Sequence, residues 1–238
     1  MARKPAKPEH AEARPADPRR AVVEALLRLS AGQPYGSIAL ADIAREAGVS
    51  LADLRDLFPS KGAILGGLLR VVDRQVLEGG AADMAGETMH DRVLDVMMRR
   101  FDAFAPYKEG MRAIYRSLRT DPVFALQFNS VALNSWRYML EAAGIDTMGP
   151  LGALRTQGAA IVFANVFAVW LDDEPDLART MAALDRELKR GEKVMGAADA
   201  LHRLAAPFAG FARAVCDRRR DLRRRRFDDN REHDAQYV

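Results

Sequence analysis

Cysteine is nearly absent from this chain: Cys216 stands alone among 238 residues. One thiol closes no intramolecular disulfide and supplies no multi-cysteine zinc site. Histidine is almost as scarce, and His10, His90, His202 and His233 are too scattered to give a pair at metal-ligand spacing. No glycine-rich phosphate loop occurs, and no carboxylate pattern marks an acid–base pair in a cleft. The expectation is a protein without catalytic machinery, metal or cofactor. No apolar run crosses a bilayer without charged, polar or glycine interruption; the longest, Ala159–Leu171, holds Asn165 and reads as a buried helix. The first residues lack the apolar segment of a secretory signal, so a cytoplasmic location is expected. Strand patterns of useful length and fixed-period repeats are missing too, which leaves an all-α chain.

The composition is 49% hydrophobic and 29% charged, enough for a sizeable core under an ordinary polar surface. The net charge of +3 is small, but arginines gather in Arg218-Arg219-Arg220 and Arg223-Arg224-Arg225-Arg226. Such a block is either a solvated helix end or a contact for phosphates or an anionic lipid surface.

Residues 1–16, with Pro5, Pro8 and Pro15 among charged side chains, read as a disordered arm. Asp17-Pro18 is a cap followed by proline at the first helical position, where a missing N–H costs nothing. The helix it starts carries Val22, Val23, Leu26, Leu27 and Leu29 and ends near Ser30, before the turn-rich 32–36. A short helix over Leu40–Ala47 follows, with Gly48 placed where a positive φ is cheap only without a Cβ. Ser50 is set to cap the next helix, with Asp53 in the reciprocal position, and Leu54, Leu57 and Phe58 form its apolar side. Pro59 ends it, and Ser60 caps a longer helix to about Glu78. Helical spacing then recurs over 89–105 and 109–119, over a helix opened by Asp121-Pro122 and stopped at Gly144, over 151–171, over 174–190 and over about 198–226.

Two short helices around a glycine turn make helix-turn-helix geometry, whose second helix must be stiff, capped and exposed on one face to lie in a major groove. The run Ile43-Ala44-Arg45-Glu46-Ala47-Gly48-Val49-Ser50, with Phe58-Pro59-Ser60-Lys61 after it, closely resembles the signature of the TetR family of transcriptional regulators. That resemblance implies a TetR-like fold: an N-terminal three-helix DNA-binding domain over 17–61, a larger helical ligand-binding and dimerisation domain over 62–226, and a tail over 227–238. It places Ser50, Leu51, Ala52 and Arg55 on the face offered to DNA and matches Lys61 to a phosphate-contacting lysine. It also implies a homodimer on operator DNA, with helices of 151–190 at the dimer surface. Arg55 stands where the family commonly has tyrosine, and Leu57 where it has histidine or tyrosine. The module is electrically neutral, since Arg19, Arg20, Arg28, Arg45, Arg55 and Lys61 balance Asp17, Glu24, Asp42, Glu46, Asp53 and Asp56. Phosphate attraction must therefore come from few side chains.

A second resemblance covers about 91–193. Val169-Trp170-Leu171-Asp172-Asp173, with Thr180 and Leu184-Asp185-Arg186, looks like the C-terminal part of the ubiquinone-biosynthesis accessory lipid-binding family, whose members share the TetR fold. The paired acids read equally as a cap and turn before Pro175. Leu201, Leu204, Phe208, Phe211 and Val215 make an apolar stripe ahead of the arginines, so 198–226 suits either a peripheral membrane contact or packing within the protein. Three functions are thus expected in competition: a DNA-binding regulator sensing a small apolar ligand, with Phe101, Phe128, Trp136 and Phe163 as pocket walls, a lipid-binding protein of quinone biosynthesis, or an interaction module with neither activity. All three are non-enzymatic.

Overall fold

The structure is a computed structural model that describes residues 15–79 and 86–196. The chain divides into one compact unit up to Leu188 and a second from Lys189, of which 189–196 are described, as helix. Among the described residues the secondary structure is entirely helical. The elements are α1 (Pro18–Gly32), α2 (Leu40–Glu46), α3 (Leu51–Leu57), α4 (Lys61–Glu78), α5 (Met89–Phe104), α6 (Lys108–Thr120), α7 (Pro122–Ala142), α8 (Gly149–Leu171) and α9 (178–196). The expected 198–226 helix and its arginine block lie outside the described residues.

Local chemistry explains the boundaries. Asp17 accepts the Arg20 N–H at 3.1 Å ahead of Pro18, and Asp121 accepts those of Val123 and Phe124 at 3.0 Å ahead of Pro122. Ser60 and Thr88 cap α4 and α5 in the same way. Gly144 closes α7 at φ 74°.

Tertiary packing joins the small helices to the large ones. α1, α2 and α3 enclose Val22, Leu26, Ile43 and Leu54, and Phe58 completes this core against α4. At Gly67 a Cβ would lie 2.9 Å from the Phe58 ring and 3.0 Å from Val23, so α4 lies almost flush with α1. α6 approaches α1 still closer: a Cβ on Gly110 would sit 2.7 Å from the Leu27 carbonyl oxygen. Tyr35, from the turn after α1, stacks on Phe124 of α7 with ring centres 4.4 Å apart. The second core is aromatic. Phe101 stacks on Phe163 at 4.3 Å, and Phe104, Phe167 and Trp170 surround the pair.

Two sequence expectations change here. The segment from Glu174 does not begin the next helix; Leu177 sits at φ 54° in a turn, and helix starts at 178. In consequence Leu184 and Leu188 face the core with Thr180 and Ala183, whereas Met181 points outward at 51% exposure. The second concerns α8. The apolar stretch is one helix of 23 residues with mean hydropathy 1.3, long and apolar enough to cross a membrane by length and composition. Phe163, Val166, Phe167 and Trp170 bury one side of it in the bundle. A helix so packed passes the same test.

Candidate nucleic-acid interface and ligand cavity

The exposed helix of the small module is built by its caps. The Ser50 hydroxyl accepts the Asp53 N–H at 3.0 Å and donates to the Asp53 carboxylate at 2.7 Å, so the acid serves in place of the usual Glu or Gln. Gly48 turns the chain at φ 65°, and the Val49 N–H returns to the Ala44 carbonyl at 3.0 Å. With Leu54 buried at 2% exposure, α3 is held by its inner side. Ser50, Leu51, Ala52 and Arg55 stand on its outer side, Leu51 at 54% exposure. All four are exposed, Ser50 at the cap and Leu51, Ala52 and Arg55 along the helix.

Lys61 is placed differently. Its ammonium donates to the carbonyls of Tyr35 at 2.7 Å and Ile38 at 2.9 Å and lies 4.5 Å from the centre of the Tyr35 ring. It therefore pins the turn between α1 and α2 to the start of α4, and burial lowers its pKa from the ordinary lysine value. The same burial pushes the Tyr35 phenol up to about 12. Other cations of the module are also engaged within it. Arg20 pairs with Glu24 and Arg28 with Glu46, both at 2.8 Å, and Arg45 pairs with Asp42. Arg19 donates to the Leu57 carbonyl at 3.0 Å, over the Phe58 ring. Arg55 donates from Nη1 to the Pro59 carbonyl at 2.9 Å, leaving the rest of its guanidinium on the exposed face.

A cavity of about 340 Å³ opens in the larger bundle, among α4, α5, α6, α7 and α8. Phe128, Trp136 and Phe163 line it together, as do Phe104 and Phe167. Phe101, expected as a fourth wall, is fully buried behind Phe163 and backs that ring instead. The pattern of aromatics at helical spacing did not reveal the most unusual lining residue, Arg100. Its guanidinium, 2% exposed, donates to Asp73 of α4 at 2.6 Å and to Ser135 of α7 at 2.7 Å. Ser135 in turn donates to the same Asp73 oxygen at 2.7 Å. Trp136, 4.8 Å away, covers one face of the cation. Burial lowers the Arg100 pKa while Asp73 opposes that shift. The signal was in the register: Val93, Met97, Arg100 and Phe104 fall at core spacing on α5, and a charge there needs a buried partner.

This arrangement of helices has known counterparts. The chain is similar to a TetR transcriptional regulator from Nitrosomonas europaea ATCC 19718, with 22% identity, 74% of this chain and 99% of that one covered and a TM-score of 0.56. It is similar to one from Rhodococcus sp. RHA1, with 20% identity, coverage of 73% and 95% and a TM-score of 0.53. A TetR-family regulator from Syntrophomonas wolfei str. Goettingen matches with 14% identity, coverage of 75% and 94% and a TM-score of 0.52. The fold is TetR-like. No family model matches the chain, and no curated protein matches it at a significant level.

The comparisons give no support to the resemblance to the ubiquinone-accessory family. The TetR-like bundle also accounts locally for the residues that carried it. Trp170 is buried under the Lys108 ammonium, 5.3 Å from its ring centre, and Lys108 donates to the Asp173 carbonyl at 2.7 Å. Arg112 donates to the Asp172 carboxylate and to the Leu171 carbonyl. Asp173 accepts from the Thr180 N–H and hydroxyl, both at 2.7 Å, and from the Glu174 N–H at 3.0 Å. The paired acids thus close α8, tie it to α6 and open α9. His90 of α5 reaches Asp185 of α9 at 3.0 Å. Among the described residues, no group of three or more His, Cys, Asp or Glu is placed to hold a metal ion.

Proposed function

We propose that the protein is a cytoplasmic DNA-binding transcriptional regulator, a homodimer whose residues 17–61 contact operator DNA and whose residues 62–226 sense a small apolar ligand. The observation that carries this reading is α3: seven residues, capped at Ser50, anchored by Leu54 and exposed on the face of Ser50, Leu51, Ala52 and Arg55. A stiff helix presented this way fits a major groove. Arg55 is the contact of greatest weight, because a guanidinium can bond a guanine edge or a phosphate through paired N–H groups. Lys61, held by the Tyr35 and Ile38 carbonyls, fixes the turn beside this helix at the position matched to a phosphate contact.

The outward side of α8 supports a two-fold assembly. Leu154 and Ile161 are 46% and 51% exposed one above the other, and Gly158 between them leaves room for a close neighbour. Met181 on α9 adds a third exposed apolar side chain. A ligand in the aromatic cavity would act by favouring one spacing of the two DNA-reading modules over another.

The test is selection of bound duplexes from a random pool, followed by mobility-shift titration of the winner. Affinity should fall steeply as salt rises. Arg55→Ala should weaken binding by about 1–3 kcal/mol. Failure to retain any duplex, or full affinity in Arg55→Ala, would sink the proposed DNA face.

A further inference from the structure

The cavity has a sign as well as a shape. Two guanidiniums line it, those of Arg100 and Arg119, and among the described residues no carboxylate does. Asn129, Asn165 and the Tyr115 phenol are among its neutral polar groups, and Asn129 is already occupied by Gln157, the two side-chain amides bonding each other at 3.1 and 3.3 Å. Arg100 is sealed inside and bonded to Asp73 and Ser135, but its Nε–H is buried with no acceptor. Arg119 is solvent-exposed, so it stands at the open side, and it has no ion-pair or hydrogen-bond partner among the described residues. An apolar body enclosed by aromatic rings, its inner guanidinium neutralised by Asp73 and its outer one unpaired among the described residues, disfavours ammonium groups at its mouth and favours an anion there. The outer cation is the one that meets the charge at least cost, because a carboxylate beside Arg119 keeps part of its hydration.

We propose that this cavity takes a small aromatic carboxylate, its ring among Phe128, Trp136 and Phe163 and its carboxylate bonded to Arg119 at the mouth. A carboxylate matches the fork of N–H groups that guanidinium offers, which makes Arg119 a specificity residue and not only a neighbour. The volume, at the small end of ligand sites, suits one or two fused rings. The proposal rests on the reading of the larger domain as a ligand-binding one, yet it needs no DNA to test.

The experiment is calorimetric titration of the full chain with 2-naphthoate, 2-naphthamide and 2-naphthylmethylamine, which share a ring and differ in charge. Naphthoate should bind about tenfold tighter than the amide, the margin a charge-assisted pair provides. The ammonium compound should give no heat. Arg119→Gln, at an exposed position, should melt as the parent does and lose the preference for the carboxylate. Ala132→Phe, which fills the cavity from α7, should abolish binding of naphthoate. Equal affinity for acid and amide, a preference that survives Arg119→Gln, or unchanged binding in Ala132→Phe would each overturn the assignment. Binding of naphthoate by a protein that retards no duplex would leave this inference standing and remove only the DNA reading.

Discussion

Lys61 illustrates how a side chain matched to one function also carries a structural role. The position fits a phosphate contact in the TetR signature, but the ammonium is bonded to the carbonyls of Tyr35 and Ile38 and covered by the Tyr35 ring. Removing it takes the ammonium from the Ile38 carbonyl and leaves the Tyr35 carbonyl with only the Ile38 N–H, at the joint between α1 and α2. Lys61→Ala should therefore destabilise the fold by about 1.5–3 kcal/mol, the range for hydrogen bonds to a charged group, read as a fall in Tm without any DNA present. A residue that served DNA alone would leave the melting temperature unchanged. Arg100 teaches the converse. Nothing in its neighbours in sequence shows a partner, since Asp73 lies 27 positions earlier and Ser135 35 later. Only register on α5 marked it as inward, and register does not name what meets a charge.

At the scale of elements, the boundaries with a side-chain cap were legible because their chemistry is local. Asp17-Pro18, Ser50 with Asp53, Ser60 and Asp121-Pro122 each satisfy N–H groups within three residues. The start of α9 was not legible, because its first turn is satisfied only in part by the nearby Asp176 and otherwise from Asp173, seven residues before Thr180. That corner carries a pH dependence. Burial alone would raise the Asp173 pKa, but the bonds from Thr180 and Glu174 outweigh it and hold the carboxyl below the usual carboxylate range. With the folded pKa below the unfolded value near 3.9, the stabilisation is present above that value and is lost as pH falls through the folded one. Tm measured from about pH 6 to about pH 3 should drop at the acid end. Asp173→Ala should melt lower at neutral pH and show a shallower acid drop, because the group that titrates is gone. A parallel acid drop in the variant would show that other carboxylates carry it.

At the scale of the whole molecule, the helix-turn-helix module of α1 to α3 and the bundle share an interior rather than meeting across a linker. Gly110 lets α6 rest on the α1 backbone, Gly67 lets α4 rest on α1, and Tyr35 stacks on Phe124. A shift in the walls of the cavity on α6 or α7 therefore bears on α1 directly. The expected homodimer is a separate question with its own readout. Ile161→Glu places a carboxylate on the outward side of α8, away from the cavity lining. Light scattering should change from a dimeric to a monomeric mass, with helical content retained. A dimer that persists in this variant would move the contact elsewhere.

The cation above Trp170 and the cavity beside Trp136 have an optical consequence. These are the chain's two indoles, one sealed at the end of α8 and the other lining the cavity. Intrinsic emission then has two sources of different character: Trp170 stays constant when the cavity fills, and Trp136 changes colour and brightness with whatever lies against it. Occupancy of the bundle can be followed in the unlabelled protein, with an internal standard already built in.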